Sequence, residues 1–233
     1  MKKDGRETDL YIKTHPKSPV SESFRFIRTN LNYMNPDKPL KVIGITSTLE
    51  QEGKSTVSAN LAVALALDGE KTLAIDADLR KPMLNRFFKV MCEGGLSDYL
   101  ANGTDYNYII KSTEEHNLDL ITTGNIPPNP AELLGSNKMH LLIKNLRKDY
   151  DKIIVDTAPI IPVSDTVSLA PYLDGIILVT AAKQTTIEML KKTKNILDNV
   201  NANLLGTIIN KYPVNSGGKH YQKQYYYYGE NDK

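Results

Sequence analysis

The sequence predicts an α/β protein with a mostly parallel central sheet flanked by helices. Three observations carry this. Six short apolar runs, at 42–45, 72–75, 118–121, 153–155, 176–179 and 205–209, have the length and branched composition of buried strands. Helix-period stretches lie between them, the pattern of a sheet covered on both faces. A Gly-Lys-Ser-Thr run at 53–56 sits between the first strand and the helix that follows it. One domain accounts for 233 residues, and no internal repeat interrupts it.

The elements follow in order. Residues 1–20 are polar, contain Pro16 and Pro19, and read as an extended arm. In 21–34, Phe24, Ile27, Leu31 and Met34 recur at helical spacing, with Ser21 as a cap and Pro36 and Pro39 as the stop. Lys54 to Leu67 reads as a helix closed by Asp68-Gly69. Asn129-Pro130-Ala131-Glu132 is a helix start with Asn as N-cap, Pro at N1 and Glu at N3, and the helix runs to about Lys148. Thr185-Thr186-Ile187-Glu188 is a capping box that opens a helix to about Val200. From Tyr212 the chain is rich in Gly, Asn, Lys and Tyr without periodicity, which predicts a flexible tail. The organisation is therefore an arm and helix (1–40), a phosphate-binding core (41–211) and a tail (212–233).

Composition excludes several classes. Lys and Arg total 29 against 27 Asp and Glu, so the chain is no obvious polyanion binder. One cysteine, Cys92, rules out a disulfide framework and a four-cysteine zinc site. The histidines form no His-Glu-x-x-His motif. No run approaches the 18 apolar residues of a membrane span, and the first residues lack the apolar stretch of a signal peptide. The expectation is a cytoplasmic protein that docks on membrane proteins if it meets a membrane at all.

The chemistry concentrates at strand ends. Gly53-Lys54-Ser55-Thr56 stands between strand and helix, the setting of a phosphate loop. A helix N-terminus offers unpaired N–H groups and the positive end of a dipole. Gly53 allows close backbone approach, Lys54 brings a cation, Ser55 a hydroxyl for magnesium, and Thr56 another N–H. The loop before it, Thr48-Leu49-Glu50-Gln51-Glu52, has no glycine and carries two carboxylates that repel phosphate if they face it. Asp76 and Asp78 end one strand and Asp156 another. Ligands of parallel sheets sit beyond the carboxyl ends of strands, so these acids and the loop share one edge. Either Asp76 or Asp78 serves to orient or deprotonate a nucleophile. Asp156 suits the metal shell, with Ser55 and Asp76 as further metal candidates. Arg80 and Lys81 offer charge to phosphate or to an acidic partner.

These residues resemble those of the bacterial tyrosine kinases, in particular the separate kinase subunit of capsule and exopolysaccharide synthesis in Gram-positive bacteria. The resemblance covers the chain from about residue 16 to the tail. It matches a Walker A motif from Thr46-Ser47 to Thr56, a Walker A′ motif at Leu73–Arg80 followed by Lys81-Pro82, and a Walker B motif at Ile153–Pro159. It implies a P-loop fold of the partition and cell-division ATPase type, with ATP and Mg2+. It implies catalytic roles for Lys54, Asp76, Asp78 and Arg80, and an adenine contact for Asn210. Glu22, Arg25 and Arg28 fit a Glu-x-x-Arg-x-x-Arg pattern that implies a homo-oligomeric ring, an octamer. Their spacing places them on one helix face, where intrahelical pairing is the plainer reading. The resemblance also implies a transmembrane adaptor that recruits the kinase to the inner membrane face. Sugar-nucleotide and polysaccharide-assembly enzymes follow as substrates.

The tail supports the same reading. The chain has 13 tyrosines and 4 phenylalanines, with Tyr221, Tyr225, Tyr226, Tyr227 and Tyr228 clustered near its end. Four adjacent tyrosines cannot all face one core. The resemblance makes them autophosphorylation sites, used between neighbouring subunits. Nucleic-acid stacking is the poorer account, since only Lys219 and Lys223 interleave with them. One departure stands out: Glu50-Gln51 replaces the family's usual Pro-Gly, which removes backbone freedom at the phosphate loop. Two other functions compete, a partition-type ATPase and a ring-forming scaffold with weak nucleotide turnover.

Overall fold

The computed structural model describes residues 8–34, 39–103 and 105–212. The tyrosine cluster at 221–228 lies outside the described residues. Among the described residues, seven strands form one sheet in the order β3-β4-β2-β5-β1-β6-β7. β1 (Val42–Ser47), β2 (Thr72–Asp76), β4 (Leu118–Ile121), β5 (Lys152–Asp156), β6 (Gly175–Ala181) and β7 (Leu204–Asn210) run parallel. β1, β2, β5 and β6 are buried along their whole length, which is why they read as continuous apolar runs. The expected strands are all present, and most are longer than their apolar runs. The added residues carry polar groups at the carboxyl ends: Asp76 and Asp156 lie side by side in register.

β3 (Ile110–Ser112) was not legible. It is three residues long, only partly buried and antiparallel to β4 at the sheet edge. The short helices α4 (Leu84–Phe87), α5 (Leu96–Asn102) and α8 (Asp165–Leu169) also fell outside the periodic pattern. The helix expected over 129–148 is two: α6 (Pro130–Leu134) and α7 (Asn137–Asp149). Gly135-Ser136 divides them, and the Ser136 hydroxyl caps α7 by accepting from the Met139 N–H at 3.3 Å. Asn129 does not cap α6 with its side chain; its amide donates to Glu132 instead. In the expected box at 185–188 the cap of α9 (Ile187–Asn199) is Thr186, which leaves Thr185 free for another partner.

The described part of the expected arm, from residue 8, is not an extended segment. Tyr11–Thr14 makes a helical turn, α1, and buries Ile12. Asn60 on α3 (Lys54–Ala66) holds it: the Ile12 N–H donates to Asn60 Oδ1 at 3.2 Å, and Asn60 Nδ2 donates to the Asp9 carbonyl. α2 spans Pro19–Tyr33 and is capped by Ser18, not Ser21. Ser21 lies within the first turn and donates to the Tyr11 and His15 carbonyls. α3 lies between the sheet and α2. It is buried nearly all round, so it has no polar face.

The three charged residues of α2 have different partners within the chain. Glu22 pairs with Arg25 along the helix surface. Arg28 turns to its own chain, donating to the Ala64 carbonyl at 3.1 Å and pairing with Asp68 at 3.1 Å. That places a cation at the carboxyl end of α3, where carbonyls lack partners and the dipole is negative.

Candidate active site

β1 delivers the phosphate loop, β2 the first acidic pair and β5 the second acid. Gly53 has φ of +96°, and a Cβ there would lie 2.0 Å from Asn210 Nδ2, so glycine is required twice over. Asn210 ends β7, and its Nδ2 donates to the Glu52 carbonyl at 2.9 Å, which pins the loop from the opposite wall. Gln51 adopts φ of +62°, the left-handed conformation, so the loop forms its turn here without a glycine.

Both loop carboxylates have partners within the chain, although Glu50 lines the cleft. Glu52 is buried: it accepts from the Leu49 N–H at 2.9 Å and from the Thr185 hydroxyl. Glu50 pairs with Lys81 across the cleft mouth. The expected repulsion is thereby relieved.

Lys54 is buried, with Nζ 2.8 Å from Asp78 Oδ2 and 3.3 Å from Asp156 Oδ2. Burial alone pushes its pKa down, but Asp156 and Asp78 outweigh burial and hold it above the ordinary lysine value. Ser55 Oγ donates to Asp156 Oδ2 at 2.6 Å and Ser58 Oγ to Asp156 Oδ1 at 2.9 Å. Burial nevertheless raises Asp156. Asp78 is also penalised by burial, yet Lys54 and the N–H groups of Lys81 and Arg80 pull it below its usual value.

Asp76 differs. It is fully buried. Oδ2 accepts from the N–H groups of Met83 and Leu84, while Oδ1 has no hydrogen-bond partner among the described residues. Burial, and then Asp156 beside it, push its pKa up to about 7. An orphaned buried carboxylate oxygen beside a second acid, itself bonded to the Ser55 hydroxyl, fits a divalent cation or its water. The chemistry suits Mg2+, which usually keeps several waters and takes few protein ligands. Ser55, Asp76 and Asp156 are the residues that would hold it.

Asp76 also yields a stability prediction. Its pKa is raised on folding, so the protonated form stabilises the empty protein at low pH. That contribution is lost as pH rises from the ordinary carboxylate value through about 7. Asp76→Asn therefore raises the melting temperature of the nucleotide-free, metal-free protein at pH 8 by several degrees, about 2–4 °C per kcal/mol. The gain shrinks at pH 5. Thermal melts at both pH values check it, and an equal gain at both would contradict it.

A cleft of about 590 Å³ opens between the loops, bordered by Gly53, Thr56, Asp78, Arg80 and Asn210. Pro159, Pro162 and Val163 form an apolar patch of its wall. The sequence-predicted residues Gly53, Lys54, Ser55, Thr56, Asp76, Asp78, Arg80, Asp156 and Asn210 thus come together at one sheet edge. Glu22, Arg25 and Arg28 lie elsewhere, on α2. Arg80 borders the cleft, but Nε and one Nη are engaged by Asp165 at 2.8 and 3.0 Å. Sequence reasoning missed Ser58, although it lies one turn after Lys54 on the same helix side. It also missed Asp165, for which no local pattern exists.

This fold and site define a P-loop nucleotide-binding protein, and residues 43–230 match the family described as the CobQ/CobB/MinD/ParA nucleotide binding domain. The chain is 41% identical over 226 residues to the tyrosine-protein kinase YwqD of Bacillus subtilis, covering 97% of this chain and 93% of that one. Its structure resembles that of the chimerical protein CapA2B2, with a TM-score of 0.84, 38% identity, and coverage of 89% and 92% of the two chains. The kinase domain of the Escherichia coli tyrosine kinase ETK matches with a TM-score of 0.83 and 32% identity, covering 88% and 81%. The chain belongs to the bacterial tyrosine-protein kinases built on this nucleotide-binding domain. Among the described residues, no helix is long and apolar enough to cross a membrane.

Proposed function

We propose that this kinase transfers the γ-phosphoryl group of ATP to tyrosines of its own tail, Tyr221 and Tyr225 to Tyr228, in capsule or exopolysaccharide synthesis. The observation that carries the reading is Lys54, buried between Asp78 and Asp156 at the end of a phosphate loop. A magnesium ion held by Ser55, Asp76 and Asp156 would neutralise charge on the transferring group.

The chain's own residues divide the remaining work. The N–H groups at the start of α3 bind phosphate. Asp78 borders the cleft and Asp76 does not, which favours Asp78 for orienting the tyrosine hydroxyl. Asp78 is held low by Lys54, and so is a weak base in the empty site. When Lys54 turns to phosphate, Asp78 loses its nearest cation and becomes free to accept the hydroxyl hydrogen bond. Little more is needed, because phosphoryl transfer depends on positioning and electrostatics. Asn210, at the cleft border, is placed to meet the base of the nucleotide.

The ring reading rests on α2, which exposes Phe26 and Tyr33 seven residues apart, beside the Glu22–Arg25 pair. We assign oligomerisation to Glu22, Arg25 and this aromatic pair, with an octamer as the expected size. Arg28 contributes by holding α2 in place. Tail phosphorylation adds about −1.5 to −2 charges per site and opposes assembly. A transmembrane adaptor then supplies membrane recruitment, and polysaccharide-assembly enzymes are further substrates.

The test is incubation with ATP and Mg2+, with phosphates mapped by intact mass and peptide sequencing. Several phosphates on Tyr221 and Tyr225 to Tyr228 are expected, and none when all five are phenylalanine. Nucleotide binding without any phosphotyrosine would shift the reading to a scaffold. Nucleotide-driven dimerisation without phosphotyrosine would shift it to a partition-type ATPase.

A further inference from the structure

Asp165 belongs neither to the phosphate loop nor to either acidic strand end, yet it is fully buried at the first turn of α8. A buried carboxylate must be paired and hydrogen-bonded. Here both oxygens are taken by one guanidinium, that of Arg80, which lies 85 residues away in the chain. Such a two-point pair fixes the guanidinium plane as well as its position. Its anchor is firm. Next to Asp165, Thr166 Oγ1 donates to the Ala158 carbonyl at 2.6 Å and lies 3.0 Å from Thr157 Oγ1. The Thr157 N–H in turn donates to the Ile45 carbonyl at 2.9 Å, so the segment is tied to the end of β1.

The other end of Arg80 matters for the reaction. Its backbone N–H donates to Asp78 Oδ1 at 3.2 Å, and that of Lys81 donates to the same oxygen at 3.0 Å. The second oxygen of Asp78 faces Lys54. Fixing Arg80 therefore fixes the two N–H groups that aim the Asp78 carboxylate. The Arg80 side chain is 44% exposed while its partner is wholly buried, so the pair is held from the Asp165 side.

We propose that Asp165 is a positioning residue: through the Arg80 fork it fixes the loop that presents Asp78 to the cleft. The inference rests on the reading of Asp78 as the group that orients the acceptor hydroxyl. It gives Arg80 a positioning task, in place of direct contact with the transferring phosphate.

A double-mutant cycle tests it, with Asp165→Asn, Arg80→Lys and both together. Single-turnover transfer to the tail and affinity for a fluorescent ADP analogue are the two readouts. Each single variant should lose about 10- to 100-fold in transfer rate, the scale of a misplaced catalytic group. Nucleotide affinity should stay within about twofold. Arg80→Lys keeps the charge and still fails, because an ammonium cannot reproduce the fork. The double variant should be no slower than the worse single one. Arg80→Lys at the wild-type rate, losses that multiply in the double variant, or a loss confined to the KM for ATP would each overturn the proposal. If Asp165→Asn does not fold, Arg80→Lys decides alone, since its side chain is half-exposed. Asp78→Asn at full rate would remove the reading of Asp78. Asp78→Asn inactive with Arg80→Lys at full rate would overturn this inference and leave that reading standing.

Discussion

Lys54→Met lowers tail phosphorylation by about 10²–10³-fold or more, the usual effect of removing a group aimed at transition-state charge. The loss is not confined to phosphate binding. Lys54 is the cation between Asp78 and Asp156, and Asp76 lies close enough to contribute to its charge balance. Without it, three buried carboxylates share one pocket. Breaking one side of a buried ion pair costs about 3–5 kcal/mol. The empty variant is therefore less stable at pH 8. It also recovers on acidification, because Asp78 is no longer held low and the carboxyls take up protons on folding. In the wild-type protein the Asp78 contribution has the opposite sign: it is present above the ordinary carboxylate pKa and fades as pH falls. Denaturation at pH 6 and pH 8 measures the difference. A variant that is inactive yet has an unchanged pH dependence of stability would show that the Lys54 ion pairs contribute nothing to the fold.

Asp78→Asn has the second large effect, with the opposite signature. Transfer falls by about 10²–10⁴-fold, the range for loss of a positioned acid–base group. Nucleotide affinity holds or improves, because Lys54 no longer has to leave its 2.8 Å partner to meet phosphate. Asparagine retains an acceptor for the N–H groups of Arg80 and Lys81, so the loop keeps its shape. Single-turnover transfer, read beside equilibrium nucleotide binding, separates the two effects. Transfer at the wild-type rate would move the orienting task to another group. A matching loss of nucleotide affinity would make Asp78 a structural residue.

The phosphate loop and both acidic strand ends were legible because their signals are local. Gly53-Lys54-Ser55 needs only a preceding strand and a following helix, and Asp76 and Asp156 announce themselves as acids closing apolar runs. The same locality explains the failures. β3 has three residues and one neighbour, too little to bury a periodic face. The arm at 8–18 lacks periodicity and takes its shape from Asn60, far along the chain. The break between α6 and α7 was written in Gly135-Ser136, and the stronger start signal at Asn129 masked it.

Charge was harder to read than hydrophobicity. Glu50 and Glu52 looked hostile to phosphate, yet one meets Lys81 and the other the Thr185 hydroxyl. Arg28 follows Glu22 and Arg25 at helical spacing, and nothing local says that its guanidinium reaches the end of α3. Arg80 offered its charge to phosphate or to an acidic partner, and only the fold shows that Asp165 holds it. An apolar run states its own burial, because burial is a property of the run. A charged side chain states only that it needs a partner. Local signals alone set the chemistry in chain order: loop, first acids, second acid. Which carboxylate faces the cleft, which one keeps an orphaned oxygen and which cation is already committed are settled by packing. Those choices are made by residues dozens of positions apart that meet only when parallel strands are stacked in register.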